Sequence, residues 1–185
     1  AQKIDSIATM PLNSLGAAMA TYSAQNYGAK RPDRIRQGVF QCILISVSVS
    51  IVMGAVNFFA GDNLAAIFVG REEIGVIRYA KVYLSMNGIM YWVLALLFIY
   101  RFTLQGLGNS VVPTVSGVME LIMRVGAALF LAGPFGFAGV VAANPLAWVG
   151  ACVPLGAAYY ITISRIEHPE RQKKTFSRKC HAGGH

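Results

Sequence analysis

The stretch SGVMELIMRVGAALFLAG, Ser116 to Gly133, decides how this chain is read. Almost every residue in it suits lipid or a dry core. Glu120 and Arg124 are its only charges and stand four residues apart, so they share one helical face and can pair with each other. A charge at the centre of a membrane span costs on the order of 2.5–3.5 kcal/mol, so the two are tolerable only facing protein or water. The pattern admits two roles, a structural pair that locks the bundle or a site of ion or proton coupling. An arginine neighbour lowers a glutamate's pKa, which makes Glu120 a reluctant proton carrier while the pair holds.

The rest of the chain has the same character. Of its 185 residues, 55% are hydrophobic and 13% charged, against about 25% charged in a soluble domain, and the mean hydropathy is +0.52. No charge occurs in Gln37–Gly61, Val82–Tyr100 or Val125–Ser164. The last of these runs is too long for one crossing, and its GPFG at Gly133–Gly136 is turn chemistry. About 20 apolar residues cross a bilayer, which predicts an all-α polytopic transmembrane bundle of five spans. They are Ile7–Tyr27, Val39–Ala60, Val82–Tyr100, Val112–Leu131 and Phe137–Ile163, the last two forming a tight hairpin. Residues 1–166 make the membrane unit, and 167–185 make a basic, disordered cytoplasmic tail. The chain opens on Ala1 without an initiator Met or a cleavable signal, as a piece of a longer protein or a processed chain does.

Lysine and arginine set the orientation. Lys30, Arg31, Arg34, Arg36, Arg101 and six tail residues place eleven basic groups on one side, against four on the other. The positive-inside rule puts the eleven, and the C-terminus, in the cytoplasm. Loops and headgroups thus account for the net charge of +8 and leave nucleic acid out of the partners. Cys42, Cys152 and Cys180 suggest no disulfide framework, and Cys180, His181 and His185 lack a fourth ligand, so no metal site is expected. A membrane-embedded enzyme would need acids, bases or metal ligands converging at one depth, and the spans hold no His and a single Glu.

The third span carries the candidate solute-binding face. Tyr83, Asn87 and Tyr91 fall at i, i+4 and i+8, with Met86 and Met90 flanking them. Rings and thioethers suit flat, greasy, cationic ligands, while helix–helix packing through Asn87 is the alternative. Thr9 and Asn13 form a weaker polar stripe on the first span. In the turn LQGLGN, Leu104–Asn109, Gly106 and Gly108 permit positive φ and Pro113 can begin the next helix, as a hinge or a plain turn. In QNYGAKRP, Gln25–Pro32, the helix can end in a left-handed Gly28, and Pro32 blocks its continuation.

Two segments, AMATYSAQNYGAKRPDRIRQG (Ala18–Gly38) and LQGLGNSVVPTVSGVMELIMR (Leu104–Arg124), resemble the C-terminal lobe of the multidrug and toxin extrusion (MATE) family of secondary transporters. The resemblance implies two six-helix lobes facing each other across a cavity, with this chain similar to helices eight to twelve and partnered by an N-terminal lobe. It implies a plasma (inner) membrane antiporter, coupled to H+ or Na+ and free of cofactors, that exports cationic or amphipathic organic molecules by alternating access. Gln25, Gly28, Gln105, Gly106 and Gly108 then belong to gate or hinge regions, and Asn13, Tyr83, Asn87, Met90 and Tyr91 to the solute path. Some members carry an Asp on the tenth helix; Val82–Tyr100 has no acid, which puts a sodium site there in doubt. A lipid-linked oligosaccharide flippase of the same superfamily is the alternative, disfavoured by Arg124 being the only base inside the spans. A half-transporter that does not itself transport is the other.

Overall fold

The computed structural model describes residues 2–69 and 74–167, with no account of the side chains at 2–5, 8, 60–69, 74–78 and 135. The tail from residue 168, with Cys180, His181 and His185, lies outside them. Every element among the described residues is helical: α1 (Gln2–Gly28), α2 (Pro32–Val69), α3 (Ile74–Ile89) and α4 (Tyr91–Gly106), then α5 (Val111–Pro134) and α6 (Gly136–Glu167). In hydrocarbon a helix satisfies its own backbone groups, so sequences this apolar adopt it throughout.

Three helical stretches are long and apolar enough to cross a bilayer, Pro32–Phe59 of α2 and the whole of α5 and α6. Residues 79–106 make a fourth if α3 and α4 count as one bent span. The remaining expected span, α1, is long enough at 27 residues, about 40 Å, but is not apolar enough among its described residues to be counted with them. Its Thr9, Asn13, Thr21, Gln25 and Asn26 make it more polar than the others.

α2 continues as a helix to Val69, past its apolar stretch Pro32–Phe59, which ends where the second span was expected to end. One span needs correction. The third span, read as one helix over Val82–Tyr100, is broken at Met90 and bent by 54°. No proline causes the bend. Gly88 precedes it, and the Met90 N–H closes a tight 3₁₀-type turn on the Asn87 carbonyl at 3.0 Å. The GPFG break is as expected: Gly136 takes φ 56°, ψ −134°, outside the helical region. The chain then reverses, so that Ser116 of α5 donates to the Ala151 carbonyl of α6 at 3.0 Å.

Glycines set the close approaches. Gly16 lies against Phe102 and Gly106 against the Ala20 backbone, so α1 and α4 run parallel in contact. Gly54 and Gly88 bring α2 and α3 backbone to backbone. The two turns at the end shared by α1 and α4 are built alike. After α1 the Arg31 N–H donates to the Asn26 carbonyl and the Lys30 N–H to the Tyr27 carbonyl, each at 3.0 Å. After α4 the Asn109 and Gly108 N–H groups donate to the Leu104 and Gln105 carbonyls at 2.9 and 3.0 Å. Both are Schellman caps. Their left-handed residues are Lys30 (φ 55°) and Gly108 (φ 80°). The left-handed position expected at Gly28 therefore falls on Lys30. Gly106 has no positive φ and serves instead as a contact point for α1. Pro32 opens α2 with Asp33 in its first turn, and Pro113 lies in the first turn of α5.

The core forms two clusters. Near the capped end Met19, Ile35, Val39, Ile99, Leu107 and Tyr159 pack together. Tyr91, Leu94, Leu97, Trp148 and Leu155 make the other, centred on α4 and α6.

Candidate functional site

The pair that stood out in the sequence is present and has a third member. Arg124 donates to Glu120 Oε1 at 2.7 Å, and Arg101 of α4 donates to Glu120 Oε2 at 3.3 Å. Glu120 is the most enclosed, its side chain 15% exposed, against 24% for Arg101 and 43% for Arg124. Gly117, one turn before Glu120, leaves the face of α5 low enough for the Arg101 guanidinium to lie across it. Two guanidiniums thus share one carboxylate, and the Nε atoms of both arginines are buried without a partner. Arg101 was read as a loop charge. It belongs to the last turns of α4, which continue through Phe102–Gly106. The helix-compatible run RFTLQG after the uncharged segment was the available signal.

The stripe of the third span divides at the break. Asn87 and Tyr91 are fully buried inside this bundle, so in this conformation they pack helices and reach no open surface. The correction follows from the bend, since i, i+4, i+8 spacing aligns residues only on a continuous helix. Tyr91 accepts a hydrogen bond from Asn57 Nδ2 of α2 at 3.0 Å, a buried partner that the sequence reading missed. Neither end of the Asn87 amide has a hydrogen-bond partner among the described residues. Tyr83 is half-buried on α3, and Asn13 is exposed on α1.

Met86 and Met90 do meet an open space. Together with Ile89 they line an apolar groove of about 500 Å³, closed by Leu131 of α5 and by Pro145 and Leu146 of α6. The groove opens beside the bend at Met90. Of the gate and hinge residues, Gln25, Gly28, Gln105 and Gly108 are exposed at the capped end, and Gly106 is held against α1.

The arrangement offers an apolar recess and a shared-carboxylate cluster on neighbouring parts of α5, without a grouping of three acids, histidines or cysteines among the described residues that could hold a metal. Comparison with known proteins agrees with this membrane-bundle character. One solved structure, an inward-facing conformation of a multidrug resistance MATE family transporter of the MOP superfamily, superposes with a TM-score of 0.83 at 16% identity, over 90% of this chain. The match covers 39% of that structure's chain, so the present chain spans about two fifths of its length. No curated protein matches. The MatE family model matches residues 1–130, most of the chain, and the chain belongs to that family of membrane transporters.

Proposed function

We propose that this chain supplies one lobe of an ion-coupled secondary transporter that exports amphipathic organic solutes by alternating access. The observation that carries the reading is family membership over residues 1–130. The bent third span supports it, because discontinuous helices are where such transporters place their sites. Residues 1–166 act as the lobe similar to helices eight to twelve, and a second lobe completes the cavity. Loops rich in Lys and Arg support a plasma (inner) membrane orientation with the capped end and the C-terminus cytoplasmic. The coupling ion is H+ or Na+. Glu120, already holding two guanidiniums, serves as a structural lock in preference to a proton carrier. The cationic preference expected from the Tyr83–Tyr91 stripe loses support with Tyr91 and Asn87 buried, whereas the methionine groove supports amphipathic solutes of varied shape.

Everted vesicles containing the two-lobed transporter test this. A lipophilic dye should accumulate inside when a proton or sodium gradient is imposed and leave when it is collapsed. Dye movement indifferent to both gradients would sink the reading. Residues 1–185 alone should give no accumulation, since one wall makes no cavity.

A flippase for lipid-linked oligosaccharides is the second reading, favoured by Arg101 as a second guanidinium inside the spans. Vesicles that translocate a fluorescent lipid pyrophosphate but no dye would select it.

A further inference from the structure

α5 combines two features that the proposed transport cycle does not by itself require. It is the least covered span, with 6% of its most apolar window buried against 33% for α6. It nevertheless carries the most exposed arginine side chain of the charge cluster near its middle, Arg124 lying about 20 Å along the helix from Val111. A half-exposed arginine at that depth does not face acyl chains. This face of α5 therefore looks onto water or solute.

The charge on that face is incomplete. Glu120 gives one oxygen to Arg101 and the other to Arg124, so neither guanidinium has its two-pronged partner, and the cluster retains one positive charge. Arg124 gives one N–H to Glu120 and its Nε is buried without an acceptor, so the donors left for a solute are the remaining N–H groups of this half-exposed side chain. Seven residues on from Arg124, Leu131 lines the apolar groove with Met86 and Met90. An i, i+7 spacing returns to the same helical face, about 10 Å along the axis. A cation with free donors thus stands about 10 Å from the end of a recess of about 500 Å³ that has room for a ring system.

We propose that this face of α5 binds a solute carrying a carboxylate: the apolar body lies in the Met86–Met90–Leu131 groove, and the carboxylate accepts hydrogen bonds from the free edge of Arg124. The inference rests on the transport reading and names a solute class for it. Arg101 and Glu120 act as positioning residues. Glu120 holds Arg124 in place without neutralising the cluster, because Arg101 offsets its charge.

The test uses two rhodamine dyes and the two-lobed transporter. One dye is a zwitterion with a free benzoate. The other is its methyl ester, which keeps the cationic ring system and loses the carboxylate. Binding is read by fluorescence polarisation in detergent, and efflux by gradient-driven accumulation in everted vesicles. Arg124→Gln should weaken the acid by about tenfold or more, the effect of one lost charged hydrogen bond, and leave the ester unchanged. Arg124→Lys should weaken the acid less than Arg124→Gln, since it keeps the charge and loses the fork. Leu131→Trp, which fills the groove, should weaken both dyes while leaving the acid-to-ester ratio as it was. Unfolded variants are recognised by size-exclusion profile, and Arg124→Lys then carries the comparison alone. Acid and ester weakened equally by every folded Arg124 variant, or exported equally well whatever stands at 124, would overturn the proposal while leaving the transport reading intact. Wild-type protein that binds and moves neither dye would overturn both.

Discussion

α4 and α5 are adjacent spans of similar apolar composition, and they sit in opposite environments. Half of the 16 residues of α4 are buried, including Tyr91, Leu97, Ile99 and Leu104, whereas Val118, Leu121, Ile122, Val125, Leu129 and Phe130 of α5 are exposed. In water this difference would be written in the hydropathy. In a bilayer it is not, because lipid is as apolar as leucine, and a span facing lipid or an open cavity needs no more polarity than one facing helices. What distinguishes the two is where their exceptional residues lie. α4 presents Gly106 to a neighbouring backbone and Tyr91 to a buried amide. α5 presents a carboxylate shared by two guanidiniums.

If α5 is fastened to the bundle mainly through that cluster, Glu120 should be its most sensitive position. Glu120→Leu leaves two guanidiniums without a counter-charge; with Arg101 and Arg124 partly exposed, the loss should fall between the about 1 kcal/mol of an exposed pair and the about 3–5 kcal/mol of a buried one. Arg124→Leu should cost clearly less, because Arg101 still holds the carboxylate. Thermal unfolding in detergent measures both. Equal losses would mean that Arg101 contributes nothing and that the cluster is only an i, i+4 pair.

The contact of α4 gives the next largest effect. A methyl group at Gly106 meets the Ala20 backbone, which a side-chain rotation cannot relieve, so Gly106→Ala should destabilise by about 1–3 kcal/mol. The matching change on α5 is Gly126→Ala, where a Cβ meets nothing within 4 Å. It should be neutral or stabilising by up to about 1 kcal/mol through helix propensity. If the two substitutions behave alike, α1 and α4 do not pack as closely as described, and the contrast between buried and open spans fails.

How much of this was legible depended on the kind of signal. Uncharged runs located the spans because hydrocarbon forbids lone charges, and the i, i+4 spacing of Glu120 and Arg124 was enough to pair them. The hairpin break at GPFG was legible for the same local reason. Arg101 was missed because an arginine near a helix end looks the same whether it points to headgroups or to a carboxylate on the next helix. The break at Met90 was missed because it contains no proline, and Gly88 alone occurs in many straight helices. Once the helix bends there, the periodicity that aligned Tyr83, Asn87 and Tyr91 no longer applies. Left-handed Lys30 was missed for a related reason: glycine preference named Gly28, but the cap hydrogen bonds fix the left-handed position two residues later.

The smallest effect bears most directly on which span faces solute. Tyr91 opens α4, is fully buried and accepts the Asn57 amide. Tyr91→Phe removes that acceptor with almost no change of shape, and polar contacts between membrane helices average about 0.6 kcal/mol. The variant should therefore lose a fraction of a kcal/mol in detergent stability. Because Tyr91 is buried where α4 packs against α2 in this conformation, the proposed transport function predicts that efflux of chemically different dyes falls by one common factor that follows protein abundance. A change that differs between dyes at constant abundance would mean that α4 opens toward the cavity during the cycle. The bend at Met90 would then be a moving joint, and the division between an interior α4 and an outward α5 would hold for one conformation only.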